Sequence, residues 1–360
     1  MRDMEEILKK YPESLNNISD LLADKPPTLM SYFLINTFGY LLKNEPDLVL
    51  SKGGVEFRRK INIIIRTLGK SFLKCPQIIE NRHMLLNPTS MTKDNGIVLP
   101  NEPVIWAPNH YFKDDTLASI TALNRHAYIL FGSLPQFYNT IDGVTAWLNG
   151  VVMTNRKSRE SKKASIPKAI KTMEYGADIL VFGEGVWNKS PNRLLLDFWP
   201  GIHRIAKETG ALVVPIAHYI EDPTNQKKDN CIHTVVDDPI RIDDLPEKAG
   251  LNYLREIIAT WYYLMMERYG ESTRECELVG FKSANDVWEQ SLRDRILTTE
   301  RYDKEIEFIA DFRPKDITLP EDVFKSIAEI LNFNSLNVSH IKFAKELMES
   351  RKKEDYQRRF

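Results

Sequence analysis

His110, Asp115, Arg156, Glu184 and Gly185 are the residues of this chain whose types and spacing point to chemistry. Together they would suit removing a proton from a hydroxyl while an anionic group is held beside it. The imidazole of His110 is the base, since histidine is the side chain that exchanges protons near neutral pH. A carboxylate on one ring nitrogen fixes the tautomer and leaves the other nitrogen to accept the proton. Two aspartates compete for that task. Asp114 lies at the four-residue spacing natural to a helix. Asp115 lies five residues on, which on one continuous helix is about 140° away. A contact with Asp115 therefore requires His110 in the turn before the helix, and spacing alone leaves the choice open.

The other residues follow apolar runs in the same way. Arg156 closes the run that begins at Gly150, and its guanidinium offers paired donors to anionic oxygens. The neighbouring Lys157, Arg159, Lys162 and Lys163 make that region a basic stretch, which on its own reads as a solvated face. Glu184 stands between Gly183 and Gly185, which let the backbone turn sharply and approach a ligand. The run Val213-Val214-Pro215-Ile216 carries little chemistry; its proline points to an edge strand or strand end that shapes a pocket wall. His203, His218 and His233 show no partner in sequence and read as core or surface residues.

Such residues have to be positioned by a scaffold. From about 95 to 269, short apolar runs alternate with helical stretches. Strands are expected at 96–99, 104–107, 128–131, 150–154, 178–182, 212–218 and 234–236. Helices are expected at 116–125, 136–148, 165–175, 201–208 and 250–269, with Gly176 and Gly210 as C-caps. The pattern predicts an α/β fold, a mixed, mostly parallel sheet flanked by helices. Ligands of open α/β sheets bind beyond the C-terminal ends of strands, where His110 falls. Residues 1–90 are expected as an N-terminal helical segment, 91–270 as the α/β domain and 271–360 as a helical C-terminal extension.

In the first segment, 29–42 is apolar almost all round, and 55–74 alternates Arg58, Arg59, Lys60, Arg66, Lys70 and Lys74 with Phe57, Ile61, Ile63, Ile64, Ile65 and Leu68. A basic amphipathic helix fits either an anionic membrane surface or packing on the domain with a solvated basic face. The run 29–42 is interrupted by polar residues and falls short of the ~20 residues of a spanning helix. The charged N-terminus lacks the apolar run of a signal peptide, so a cytoplasmic chain, peripheral at the inner face of a membrane, is expected.

Composition narrows the classes further. Lys and Arg number 49 against 50 Asp and Glu, and nothing global argues for nucleic acid. Hydrophobic residues at 42% and charged residues at 28% describe a folded chain. Cys75, Cys231 and Cys276 are scattered, with neither metal-ligand spacing nor a disulfide framework, so no metal is expected.

The four segments, in this order, resemble the motifs of the glycerolipid acyltransferase superfamily, the lysophosphatidate and glycerol-phosphate acyltransferases of PlsC type. Asn109, His110 and Asp115 match the first motif, and Gly150 and Arg156 the second. Phe182, Glu184 and Gly185 match the third, and Val214 and Pro215 the fourth. The stretch 199–210 is similar to the helix between the third and fourth motifs. The likeness covers about 95–245. It implies acyl transfer from acyl-CoA or acyl-carrier protein to a lipid hydroxyl, with no further cofactor. His110 is then the general base, Asp115 its partner, and Arg156, Glu184 and Gly185 bind a lysophospholipid or related acceptor. Gly183 departs from the family's proline and Trp187 from its phosphate-binding Arg. Lys189 or Arg193 would substitute for that Arg, or a bulkier acceptor would stack on Trp187. A different lipid or alcohol acceptor and a non-catalytic lipid-binding relative are the alternatives; a Gly-x-Ser-x-Gly elbow, the mark of a thioester hydrolase, is absent from the sequence.

Overall fold

The computed structural model describes residues 29–73, 75–81, 99–110, 112, 114–123, 125–132, 141–155, 158–186, 195–220 and 230–269. Arg156, Trp187, Lys189, Arg193, Cys276 and the extension 271–360 lie outside these residues, as do 96–98 and 136–140.

Seven strands form one sheet: β1 (Gln77–Asn81), β2 (Ile105–Pro108), β3 (Ala127–Gly132), β4 (Val151–Thr154), β5 (Asp178–Leu180), β6 (Val213–Ile220) and β7 (Ile232–Val236). Their order is β1-β7-β6-β2-β5-β3-β4, and every pair is parallel except β6 with β7. The mixed, mostly parallel sheet expected from sequence is therefore present. Its helices are α1 (Leu29–Asn44), α2 (Lys52–Phe72), α3 (Asp115–Ala122), α4 (Ile141–Asn149), α5 (Arg159–Glu174), α6 (Gly201–Thr209) and α7 (Glu247–Tyr269).

Alternation along the strands builds two apolar layers, because successive side chains point to opposite faces. Ile105, Ala107, Ile179, Val213 and Ala217 join one cluster with residues of α5, α6 and α7. Val104, Trp106, Leu180, Val214 and Ile216 join another with Ile120 of α3. Both faces are thus covered, as parallel sheets require.

Local chemistry sets the element ends. The Ser51 hydroxyl accepts from Gly54 N–H at the start of α2, and Ser158 from Ser161 N–H at the start of α5. Gly210 closes α6 at φ +67°. The α5 helix begins at Arg159, six residues before the expected start, and runs through Pro167. Its Ser158 cap marks the start better than the proline does.

Two expectations need correction. Gln77–Asn81 is a strand inside the stretch read as helical, and it pairs in parallel with β7. Pro215 is on neither an edge strand nor a strand end, since β6 lies between β7 and β2. The sheet tolerates it where the β7 ladder breaks: pairing ends at Ile216 with Val236, and Val213 meets Ile240 separately.

The buried Arg58 fastens α2 to the domain through its Nε, which donates to Trp147 C=O at 2.8 Å, while its Nη1 donates to Gly54 C=O one turn back on the same helix at 3.1 Å. The guanidinium also lies 4.4 Å over the Trp147 ring. The opposite face of α2 is exposed yet not purely basic: Phe57, Ile63 and Ile64 are 51%, 65% and 57% exposed. Phe57, Lys60 and Ile64 follow one another along one helical stripe, with Arg59 and Lys70 also exposed. Among the described residues no helix is long and apolar enough to cross a membrane.

Candidate active site

Strands β2 and β5 are parallel neighbours, with Ile105 opposite Ile179 and Trp106 opposite Leu180. Asp178 holds that register from below. Its carboxylate accepts from Val104 N–H at 3.0 Å, Trp106 Nε1 at 2.8 Å and Arg125 Nη2 at 2.7 Å, and burial pushes its pKa up. Because the strands run the same way, the segments leaving them emerge at one edge of the sheet. His110 follows β2 and Glu184 follows β5. The β4 strand, which leads toward Arg156, ends at the same edge three strands from β2, or ~14 Å at the usual spacing.

His110 lies just before α3, and its Nδ1 is 2.8 Å from Asp115 Oδ2. The structure thereby chooses Asp115 over Asp114. The imidazole is outside the helix, so the helical spacing that favoured Asp114 does not apply. Asp115 is fully buried and the His110 side chain is 12% exposed. With Nδ1–H donating to the carboxylate, Nε2 is the basic nitrogen. The ring stacks on Phe182 at 4.1 Å between centroids.

The two segments are also joined through Glu184, which is 1% exposed. Its Oε1 accepts from His110 N–H at 2.9 Å and its Oε2 from Leu196 N–H at 2.8 Å. The carboxylate therefore braces the backbone on which His110 is carried, a role the sequence did not reveal. Gly185 turns at φ +70°, where its missing Cβ leaves room for the indole of Trp199. Gly183 is explained similarly: a Cβ there would meet the Phe198 ring at 2.6 Å. Trp199 donates its backbone N–H to Gly183 C=O at 2.9 Å, is 51% exposed, and has the Lys162 ammonium 5.3 Å from its ring centre.

Three histidines are core residues, as expected. His203 Nε2 is 2.9 Å from Leu245 C=O, and His233 stacks on Tyr269 at 3.6 Å. His218 is fully buried, and burial lowers its pKa to about 3. Among the described residues no group of His, Cys, Asp or Glu could hold a metal ion.

A His–Asp pair at the C-terminal edge of a sheet covered on both faces defines the class: an α/β domain with a strand-end site whose geometry is suited to moving a proton. Residues 88–219, well under half of the chain, match the family model described as Acyltransferase. The match bears out the resemblance drawn from the motifs. Among solved structures, the 1-acyl-sn-glycerophosphate (LPA) acyltransferase PlsC from Thermotoga maritima is similar, with 15% identity and a TM-score of 0.41 over 71% of this chain and 98% of that one. No curated protein matches.

Proposed function

We propose that the protein moves an acyl group from a thioester, acyl-CoA or acyl-carrier protein, to a hydroxyl of a lysophosphatidate-like lipid in phospholipid biosynthesis. The observation that carries this reading is the His110–Asp115 pair at 2.8 Å, inside a stretch that matches an acyltransferase family model. His110 Nε2 takes the acceptor's hydroxyl proton as its oxygen bonds to the thioester carbonyl carbon. Asp115 supports the imidazolium. The tetrahedral intermediate then collapses by breaking the C–S bond, and His110 returns the proton to the thiolate. Products are an ester and a free thiol, and no protein nucleophile is needed. A base so placed contributes about 10²–10⁴-fold in rate.

Arg156 and the Glu184-Gly185 turn serve the acceptor, Arg156 by neutralising its phosphate and Glu184 by holding the turn. Trp187, Lys189 and Arg193 are the candidates for further acceptor contacts. The protein works at the cytoplasmic face of a membrane, docked through the exposed apolar and basic side chains of α2. That mixed face supports docking over a merely solvated one, because adjacent exposed apolar groups mark interaction surfaces.

A different lipid or alcohol acceptor is favoured by the exposed Trp199 beside Gly185, a surface suited to an apolar or ring-bearing group. The test is release of free thiol from acyl-CoA with a panel of acceptors. Turnover with lysophosphatidate alone supports the first acceptor. Turnover only with unphosphorylated alcohols replaces it, and turnover with none, from either thioester donor, removes the enzyme reading in favour of a lipid-binding one.

A further inference from the structure

The turn that carries His110 rests on a buried imidazole that the mechanism above does not use. His218, in β6, touches that turn at three places. Its backbone N–H donates to Asn109 Oδ1 at 2.7 Å, and its C=O accepts from Asn109 Nδ2 at 3.0 Å. Its ring meets Phe112 in an edge-on contact, 6.2 Å between centroids. Its Nε2 lies 2.7 Å from Ser119 Oγ, and that hydroxyl donates to Asp115 C=O, also at 2.7 Å.

One assignment gives every proton an acceptor. The Ser119 hydroxyl proton goes to Asp115 C=O, and Ser119 Oγ accepts from His218 Nε2–H. Nδ1 is then bare and accepts from Thr234 Oγ1–H at 2.9 Å. Thr234 accepts in turn from Gln77 Nε2 at 2.9 Å, whose second proton reaches Ala118 C=O, also at 2.9 Å. Gln77 Oε1 accepts from Thr121 Oγ1 at 2.8 Å. The chain runs one way, from β1 through β7 and β6 into the first turn of α3. It is closed, with both nitrogens of His218 partnered, as a polar network inside an apolar core must be.

We infer that His218 is a positioning residue for the acyl transfer: its neutral Nε2–H tautomer, through Ser119, sets Asp115 against His110, while its backbone holds Asn109 on the other side. The inference rests on the acyltransferase reading only for its kinetic consequence. Asp115 belongs to the first turn of α3, where a shifted carbonyl displaces the side chain that orients the base. Burial, which keeps the ring uncharged, is what lets Nδ1 accept from Thr234.

The test compares His218→Phe, which removes both nitrogens, with His218→Gln, which keeps a donor and an acceptor, and with Ser119→Ala, which removes only the link. With acyl-CoA and the best acceptor of the panel, kcat of His218→Phe falls by roughly tenfold or more, the scale of a small misplacement near the reacting atoms. The KM of each substrate changes by less than about twofold, since neither substrate touches His218. Ser119→Ala loses less, and His218→Gln recovers most of the loss. The second readout needs no turnover: the low-field proton resonance of His110 Nδ1–H bonded to Asp115, followed in full-length protein with ¹⁵N-labelled histidine. It persists in wild type and His218→Gln, and broadens or moves upfield in His218→Phe and Ser119→Ala. If His218→Phe does not fold, Ser119→Ala decides. A resonance and kcat equal to wild type in the folded variants would overturn the proposal. Wild-type protein without turnover but with a resonance that responds as stated would overturn the acyltransferase reading and leave the positioning role intact.

Discussion

Glu184 distinguishes a residue whose type is legible in sequence from one whose task is. The strand-end acid between two glycines was readable, but its partners are backbone N–H groups, which no side-chain pattern reports. Glu184→Ala leaves the N–H groups of His110 and Leu196 without their acceptor, and each such loss in a buried setting costs about 1–3 kcal/mol. Urea unfolding of the variant should show a lower midpoint and the thiol-release assay a large fall in kcat, with Glu184→Gln between it and wild type. A Glu184→Ala protein of wild-type stability would contradict the brace. The His110–Asp115 pair was half legible: the histidine was, while the choice of aspartate needed the backbone turn. Phe182 and Trp199 were visible as parts of the family-like segments but not in their contacts, because ring stacking and indole exposure depend on the fold.

Among the elements, strands of the central sheet were readable from their apolar runs, whereas β1 was not. Gln77-Ile-Ile-Glu-Asn81 carries polar residues at its ends and in its interior, yet Glu80 finds the Tyr269 hydroxyl at 2.8 Å and Gln77 joins the buried network. Its polarity is satisfied by residues from 41 to 189 positions away, so it could not look like a buried strand in isolation. Gly150 illustrates an element boundary set by packing. It adopts φ +97°, and a Cβ there would meet the Tyr128 ring at 2.4 Å. Gly150→Ala should therefore destabilise by at least about 2 kcal/mol through backbone strain and overpacking, read as a lowered thermal midpoint. An unchanged midpoint would refute that account. The α2 helix carries the membrane prediction. Replacing Phe57, Ile63 and Ile64 with serine should reduce co-sedimentation with anionic phosphatidylglycerol vesicles, and salt should weaken wild-type binding because the lysines contribute. Wild-type binding that the triple variant retains in full would place docking elsewhere.

For the molecule as a whole, buried histidines set the response to acid. Burial lowers His218 to about 3 and His126 to about 4, below the 6.5 of the free side chain. The unfolded chain then takes up protons below pH 6.5 that the folded chain refuses. Stability is therefore full above that value and declines as pH falls toward 4, by about 2 kcal/mol per histidine at pH 5. Asp178, raised by burial, works in the opposite sense at lower pH. Urea midpoints at pH 7 and pH 5 check this, and equal midpoints would contradict it. The α/β order of the chain was legible because it depends on local periodicity. The polar contacts that complete the site were not, because they join residues distant in sequence. Acyl transfer by this protein depends on one imidazole, and the most direct measurement follows labelled acyl-CoA and a lipid extract by mass spectrometry of the products. Wild type is predicted to form a labelled acyl ester with release of coenzyme A, and folded His110→Ala to form at least about 100-fold less. Equal ester formation by the two proteins would contradict it.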